Sequence, residues 1–201
     1  MIIENLFPTP IGFFNFEEGL TEEQTKFLVE QDQRPNEGNT SSSDRYILKQ
    51  KKIGSLTTFI EKCLFEYVAS TINPKNDVRF RITQSWLNWT QPGQFHHKHA
   101  HPNSVISGCF YINADKNNDK IFFYRDGYKQ IKFPPKEWNA YNSESWWYPV
   151  GTNSLVFFPS NLTHMVLPVC GEETRISLAF NTFPVGYVGD EDELTALHLK
   201  K

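Results

Sequence analysis

The sequence predicts an α+β protein, mainly β, with its helices early and its strands after Asp77. Three observations carry this. Ser55 to Ile72 places apolar residues at helical spacing. The chain after Asp77 breaks into short apolar runs separated by turn residues. Aromatic residues make up 15% of the chain, with 17 Phe and 5 Trp, which favours pleated, half-buried surfaces. Helices first and strands after is the order of an α+β fold, here two facing sheets with helices on one of them.

The chain has 201 residues, enough to bury a sizeable core. A single domain over 1–201 is expected, with 1–76 as a helical support region, 77–188 as a β core and 189–201 as a charged, mobile tail. Hydrophobic residues at 39% and charged residues at 21% fit a soluble protein. A net charge of −3 gives no electrostatic case for nucleic acid or an anionic membrane. No segment has the apolar length of a membrane span, and the first residues do not form a secretory leader. Cys63, Cys109 and Cys170 form no C-x-x-C pair, so reduced thiols and a cytoplasmic location are expected. The sequons at Asn88 and Asn161 then carry no meaning.

Phe7 to Phe14 is apolar but interrupted by Pro8 and Pro10, so an edge strand is the most it can form. Thr21-Glu22-Glu23-Gln24 is a capping box that opens a short helix to about Gln33. Arg34 to Ser43, rich in Asn, Gly and Ser, reads as a loop. In the next helix Leu56, Phe59, Ile60, Cys63, Leu64, Tyr67 and Val68 form one stripe, and Asn73-Pro74 ends it. The strands expected after it are Arg79–Thr90, Val105–Asn113, Lys120–Arg125, Ser154–Phe158, Met165–Val169 and Thr174–Phe183. The architecture these imply is a double-stranded β-helix, a cupin-like jelly roll with N-terminal helices packed on one sheet. Trp138 to Tyr148, WNAYNSESWWY, is too apolar for an idle loop and is read as a lid, a substrate wall or a partner or homodimer contact.

Chemistry concentrates in Gly93 to Tyr111, GQFHHKHAHPNSVISGCFY, which holds His96, His97, His99 and His101. Alternate residues of an extended strand share a face, so His99 and His101 can aim at one point. His164 supplies a third imidazole, and Arg175 follows eleven positions later, with Ser177 on its own face. Three ligands on one side of a metal, with the other positions open, is the arrangement of non-haem iron oxygenases. A nearby arginine suits a two-pronged grip on a carboxylate. Arg175 lies among Ile176, Leu178 and Phe180, where a charge needs a partner.

This pattern resembles the Fe(II)/2-oxoglutarate-dependent oxygenases, within them a prolyl-hydroxylase-like branch of bacterial and tailed-phage proteins. The residues that carry the resemblance are Gly93, His99-Ala100-His101-Pro102-Asn103-Ser104, Ser107-Gly108-Cys109-Phe110-Tyr111, Phe158-Pro159-Ser160 before His164, and Arg175-Ile176-Ser177. It covers about residues 80 to 185. It implies Fe(II) on His99, His101 and His164, and 2-oxoglutarate on Arg175, Ser177 and Tyr111. It also implies O2 as oxidant and hydroxylation of an unidentified protein side chain or small molecule. The family usually has His-x-Asp where this chain has His99-Ala100-His101. Three neutral imidazoles also suit zinc or copper, and His97 with His99 is an alternative pair. A cupin-like metal-binding module without oxygenase activity, and a jelly-roll interaction protein without metal, are the competing functions.

Overall fold

The computed structural model describes residues 1–127, 131 and 133–200. The strands and helices, in chain order, are β1 (Gly12–Asn15), α1 (Glu22–Val29), β2 (Gln33–Asn36), β3 (Asn39–Ser42), α2 (Gly54–Thr71), β4 (Val78–Thr90) and β5 (His96–His99). They continue with β6 (Ile106–Asn113), β7 (Lys120–Tyr124), β8 (Ser145–Pro149), β9 (Ser154–Pro159), β10 (His164–Val166), β11 (Arg175–Val188) and β12 (Leu197–Leu199).

Two antiparallel sheets result. The larger runs β1-β9-β6-β11-β4-β3-β2, with β12 pairing β11, and the smaller runs β5-β10-β7-β8. Both faces of the larger sheet are covered, which its residue alternation requires. Leu87, Trp89, Phe110, Ile176, Leu178 and Phe180 join Leu56, Ile60, Cys63 and Leu64 of α2 in one buried cluster. Cys109, Tyr111, Val156 and Phe158 project the other way, onto Ile121 and Phe123 of the smaller sheet. β6 lies between β9 and β11 and is buried from Ile106 to Ile112, hence its unbroken apolar run. Gly108 is required there, because a Cβ would stand 2.2 Å from the Phe180 ring.

The predicted helical stripe of α2 is the one that is buried, and α1 opens on the predicted capping box. Other expectations change. Arg34 to Ser43 is a hairpin, β2 and β3, turning at Glu37-Gly38, with Gly38 at φ +84°. Its polar sequence hid it, because it is held by pairing with β4 and not by a buried face. The region 1–76 therefore supplies three strands as well as helices. The tail is anchored by β12, which pairs with β11 from Gly186 to Val188. α1 ends at Val29, short of Gln33, and the strand expected at Met165–Val169 is His164–Val166. Ser145–Pro149 pairs with β7 at the edge of the smaller sheet. Among the described residues, no helix is long and apolar enough to cross a membrane.

Candidate active site

The histidines meet where the two sheets face each other. His99 ends β5 and His164 opens β10, and the two are directly paired in the ladder. His101 lies just past β5, its amide held by the Ser160 carbonyl at 2.8 Å. One ring nitrogen from each of His99, His101 and His164 lies within 4.8 Å of the other two. His99 Nε2 and His101 Nε2 are 3.1 Å apart.

The opposite ring nitrogens fix the tautomers. His99 Nδ1 is 2.8 Å from the His97 carbonyl, and His164 Nδ1 is 3.0 Å from the Leu162 carbonyl. His101 Nδ1 meets the Asn181 amide oxygen, which also accepts from Ser107 Oγ at 2.8 Å. A carbonyl oxygen can only accept, so each Nδ1 carries the proton and each Nε2 keeps a bare lone pair. Two lone pairs 3.1 Å apart repel unless a cation lies between them. The donor set thus fits a metal ion, with the outer nitrogens oriented as metal-binding imidazoles require. It is three neutral nitrogens: neither three-residue cluster among the described residues includes a carboxylate.

Burial and mutual repulsion oppose protonation. Burial, then the neighbouring imidazoles, holds His164 well below the ordinary histidine range. Burial, offset in part by the His97 carbonyl, brings His99 to about 4, and burial likewise lowers His101. His96 stacks on His99, with ring centres 4.8 Å apart, and burial followed by its histidine neighbours lowers it to about 3. The site therefore keeps its nitrogens available at neutral pH.

A narrow cavity of about 40 Å³ leads inward from the histidines to Arg175, Ser177 and Tyr111. Arg175 is 2% exposed, and its guanidinium lies 4.9 Å above the Tyr111 ring. Arg175 Nε, the Tyr111 hydroxyl and Asn88 Oδ1 are buried without hydrogen-bond partners. Burial, then Cys109, raises the Tyr111 hydroxyl well above its ordinary range, so it stays a neutral donor. The cavity has imidazole lone pairs at one end and, at the other, an unpartnered guanidinium nitrogen and phenol hydroxyl, donors whose chemistry suits a carboxylate.

Residues 84–181 match the family model described as "Putative 2OG-Fe(II) oxygenase". That stretch belongs to the 2OG-Fe(II) oxygenases. No curated protein matches it by sequence. Among solved structures, an oxidoreductase of the 2OG-Fe(II) oxygenase family from Burkholderia pseudomallei superposes with TM-score 0.59 at 9% identity. That match covers 86% of this chain and 83% of the other. HygX from Streptomyces hygroscopicus, crystallised with nickel, 2-oxoglutarate and hygromycin B, gives 0.57 at 11% identity, over 87% and 82%. A Pseudomonas putida prolyl-4-hydroxylase gives 0.54 at 14% identity, over 86% and 92%. These likenesses show the fold, which is the predicted jelly roll.

All six residues singled out from the sequence line this one cavity. His97 does not join them: its Nδ1 has no hydrogen-bond partner and lies 4.0 Å from Glu37. It does form a second cluster with His96 and His99. The sequence reading missed Asn181 and gave Ser107 no role, though the two orient His101, and it missed Asn88, which faces the cavity. Asn181 and Ser107 are register partners across β11 and β6, a relation no linear spacing encodes. Trp138 to Tyr148 contributes no described residue to the cavity wall.

Proposed function

We propose that Fe(II) in this oxygenase is held by His99, His101 and His164, and that 2-oxoglutarate is held by Arg175, Ser177 and Tyr111, over the whole unit 1–201. The observation that carries this is the alignment of three fixed tautomers: every Nδ1 is tied to an oxygen acceptor, and every Nε2 is left free. Bound iron would supply the oxidising chemistry, in which O2 is consumed with 2-oxoglutarate: one oxygen atom ends in succinate as carbon dioxide leaves, and the other enters a C–H bond of the substrate. The chain's own work is to bind, orient and exclude water. Arg175 and Ser177 grip the far carboxylate, Tyr111 donates to it, and Asn181 with Ser107 keeps His101 facing inward. Ile121, Phe158 and Val166 line the cavity with apolar surface.

The substrate is a small molecule or a protein side chain; HygX is crystallised with hygromycin B, and the Pseudomonas protein is a prolyl-4-hydroxylase. The absence of a carboxylate from the ligand set favours a second reading, a cupin-like metal-binding module. Two measurements decide. Purified protein binds about one divalent ion per chain, and His99→Ala or His164→Ala abolishes it. With Fe(II), ascorbate and 2-oxoglutarate the protein releases succinate. Metal content unchanged in both variants removes the site, and metal binding without succinate leaves the module.

A further inference from the structure

A second, broader hollow lies outside the histidines. It is a cleft of about 830 Å³, open to solvent, that shares Trp86, Asn88, His96, His99 and His101 with the inner cavity. The inner cavity ends on Arg175; the outer cleft reaches the same histidines from the solvent side. Its wall carries Arg34, Arg45, Lys49 and Arg81 and not one Asp or Glu. That is not background, because the chain as a whole carries a net charge of −3. Of the acids on the adjoining segments, Glu37 lies 4.0 Å from His97 Nδ1, and Asp44 accepts from the Tyr46 amide and Gln50 Nε2. Among the described residues, none of the four cations forms an ion pair.

The register explains how these residues reach the site. Arg34 is opposite Ser41, Ser41 opposite Asn88, Asn88 opposite Ser177, and Ser177 opposite Tyr111. Directly opposed residues project from one face. A single row therefore runs from Tyr111 in the inner cavity to Arg34 on the cleft wall. Arg45 stands beside it, with Nη1 3.5 Å from Ser41 Oγ. Its backbone is fixed to β4 through the Ser85 amide at 2.8 Å. Arg45 Nη2 is buried and has no hydrogen-bond partner. Arg45 is part-buried, but this one guanidinium nitrogen is closed to water and has no carboxylate partner; in an acid-free cleft such a group is completed by an anion from outside. Its fork matches the oxygens of a phosphate or a carboxylate.

We propose that the substrate of this oxygenase carries an oxyanion, a phosphate or carboxylate group, which Arg45 binds with help from Arg34, Lys49 and Arg81. This rests on the oxygenase reading for the word substrate; the anion site itself stands on the cleft. Trp86 and Tyr46 give the same cleft flat surfaces for the rest of the molecule, and Lys49 already lies 4.5 Å above the Tyr46 ring.

The test is a calorimetric titration of metal-free protein with phenyl phosphate, benzoate and benzyl alcohol, without 2-oxoglutarate. At least one anion binds, benzyl alcohol does not, and the stronger anion identifies the group. Arg45→Gln weakens that anion at least tenfold, while Arg175→Met leaves it within about twofold. Arg34→Gln and Arg81→Gln, at exposed positions, each weaken it severalfold and serve if Arg45→Gln does not fold. The proposal is overturned if neither anion binds at millimolar concentration, or if benzyl alcohol binds as well as they do. It is equally overturned if the affinity survives Arg45→Gln, or disappears in Arg175→Met, which would place the anion in the inner cavity. Because no metal is present, failure here is separate from a failure to release succinate.

Discussion

Replacing Arg175 by Met separates the two jobs a buried arginine can do. The guanidinium is almost fully buried, forms no ion pair among the described residues, leaves Nε without a partner, and has the Tyr111 ring as its visible compensation. A charge so placed costs stability in the ligand-free protein and regains it when a carboxylate arrives. Arg175→Met keeps the volume and the packing while removing the charge. Its loss of charge-assisted, two-pronged contact to 2-oxoglutarate should be about 2–4 kcal/mol, a fall in affinity of roughly thirtyfold to a thousandfold. The melting temperature of the ligand-free protein should stay the same or rise by a few degrees, since about 1 kcal/mol moves a chain of this size by about 2–4 °C. Arg175→Lys should recover only part of the affinity, because an ammonium cannot reproduce the fork. The assay is a titration of Mn(II)-loaded protein with 2-oxoglutarate, followed by heat, beside a thermal melt of each variant. Unchanged affinity in Arg175→Met would refute the co-substrate role. A large drop in melting temperature would show that the guanidinium is a structural element.

Three further outcomes are expected. Folding holds His96 near 3 and His99 near 4, below the unfolded value near 6.5, so their stabilising effect is complete above pH 6.5 and is lost as pH falls towards those values. Metal-free protein should therefore lose up to about 2 kcal/mol per such histidine between pH 6.5 and 5, and a flat melting temperature over that range would contradict the burial of these rings. Asn181→Leu removes the acceptor of His101 Nδ1 and should weaken metal affinity about 10- to 100-fold, whereas Asn181→Asp should retain or raise it; equal affinities for all three proteins in a competition titration would leave Asn181 without a part in the site. Gly108→Ala drives a methyl group against the Phe180 ring between β6 and β11 and should cost about 1–3 kcal/mol in a denaturant melt, and an unchanged midpoint would mean that the ring moves freely.

The sequence determined those features that depend on local periodicity and residue chemistry. The stripe from Leu56 to Val68 could bury itself only as a helix, and the runs around Phe110, Phe157 and Leu178 could satisfy two apolar faces only as central strands. The three imidazoles, with Arg175 and Ser177 two apart on one face, were legible because side-chain direction in a strand alternates with period two. Tertiary structure decided what depends on register. The hairpin from Gln33 to Ser42 has no apolar alternation and exists because β4 offers it an edge. Asn181 reaches His101 only because β11 pairs with β6 at Ser107, and Arg34 enters the row that ends at Tyr111 only through four successive strand pairings. Cross-strand neighbours are set by sheet order and shear, and neither is a property of any one segment of the chain.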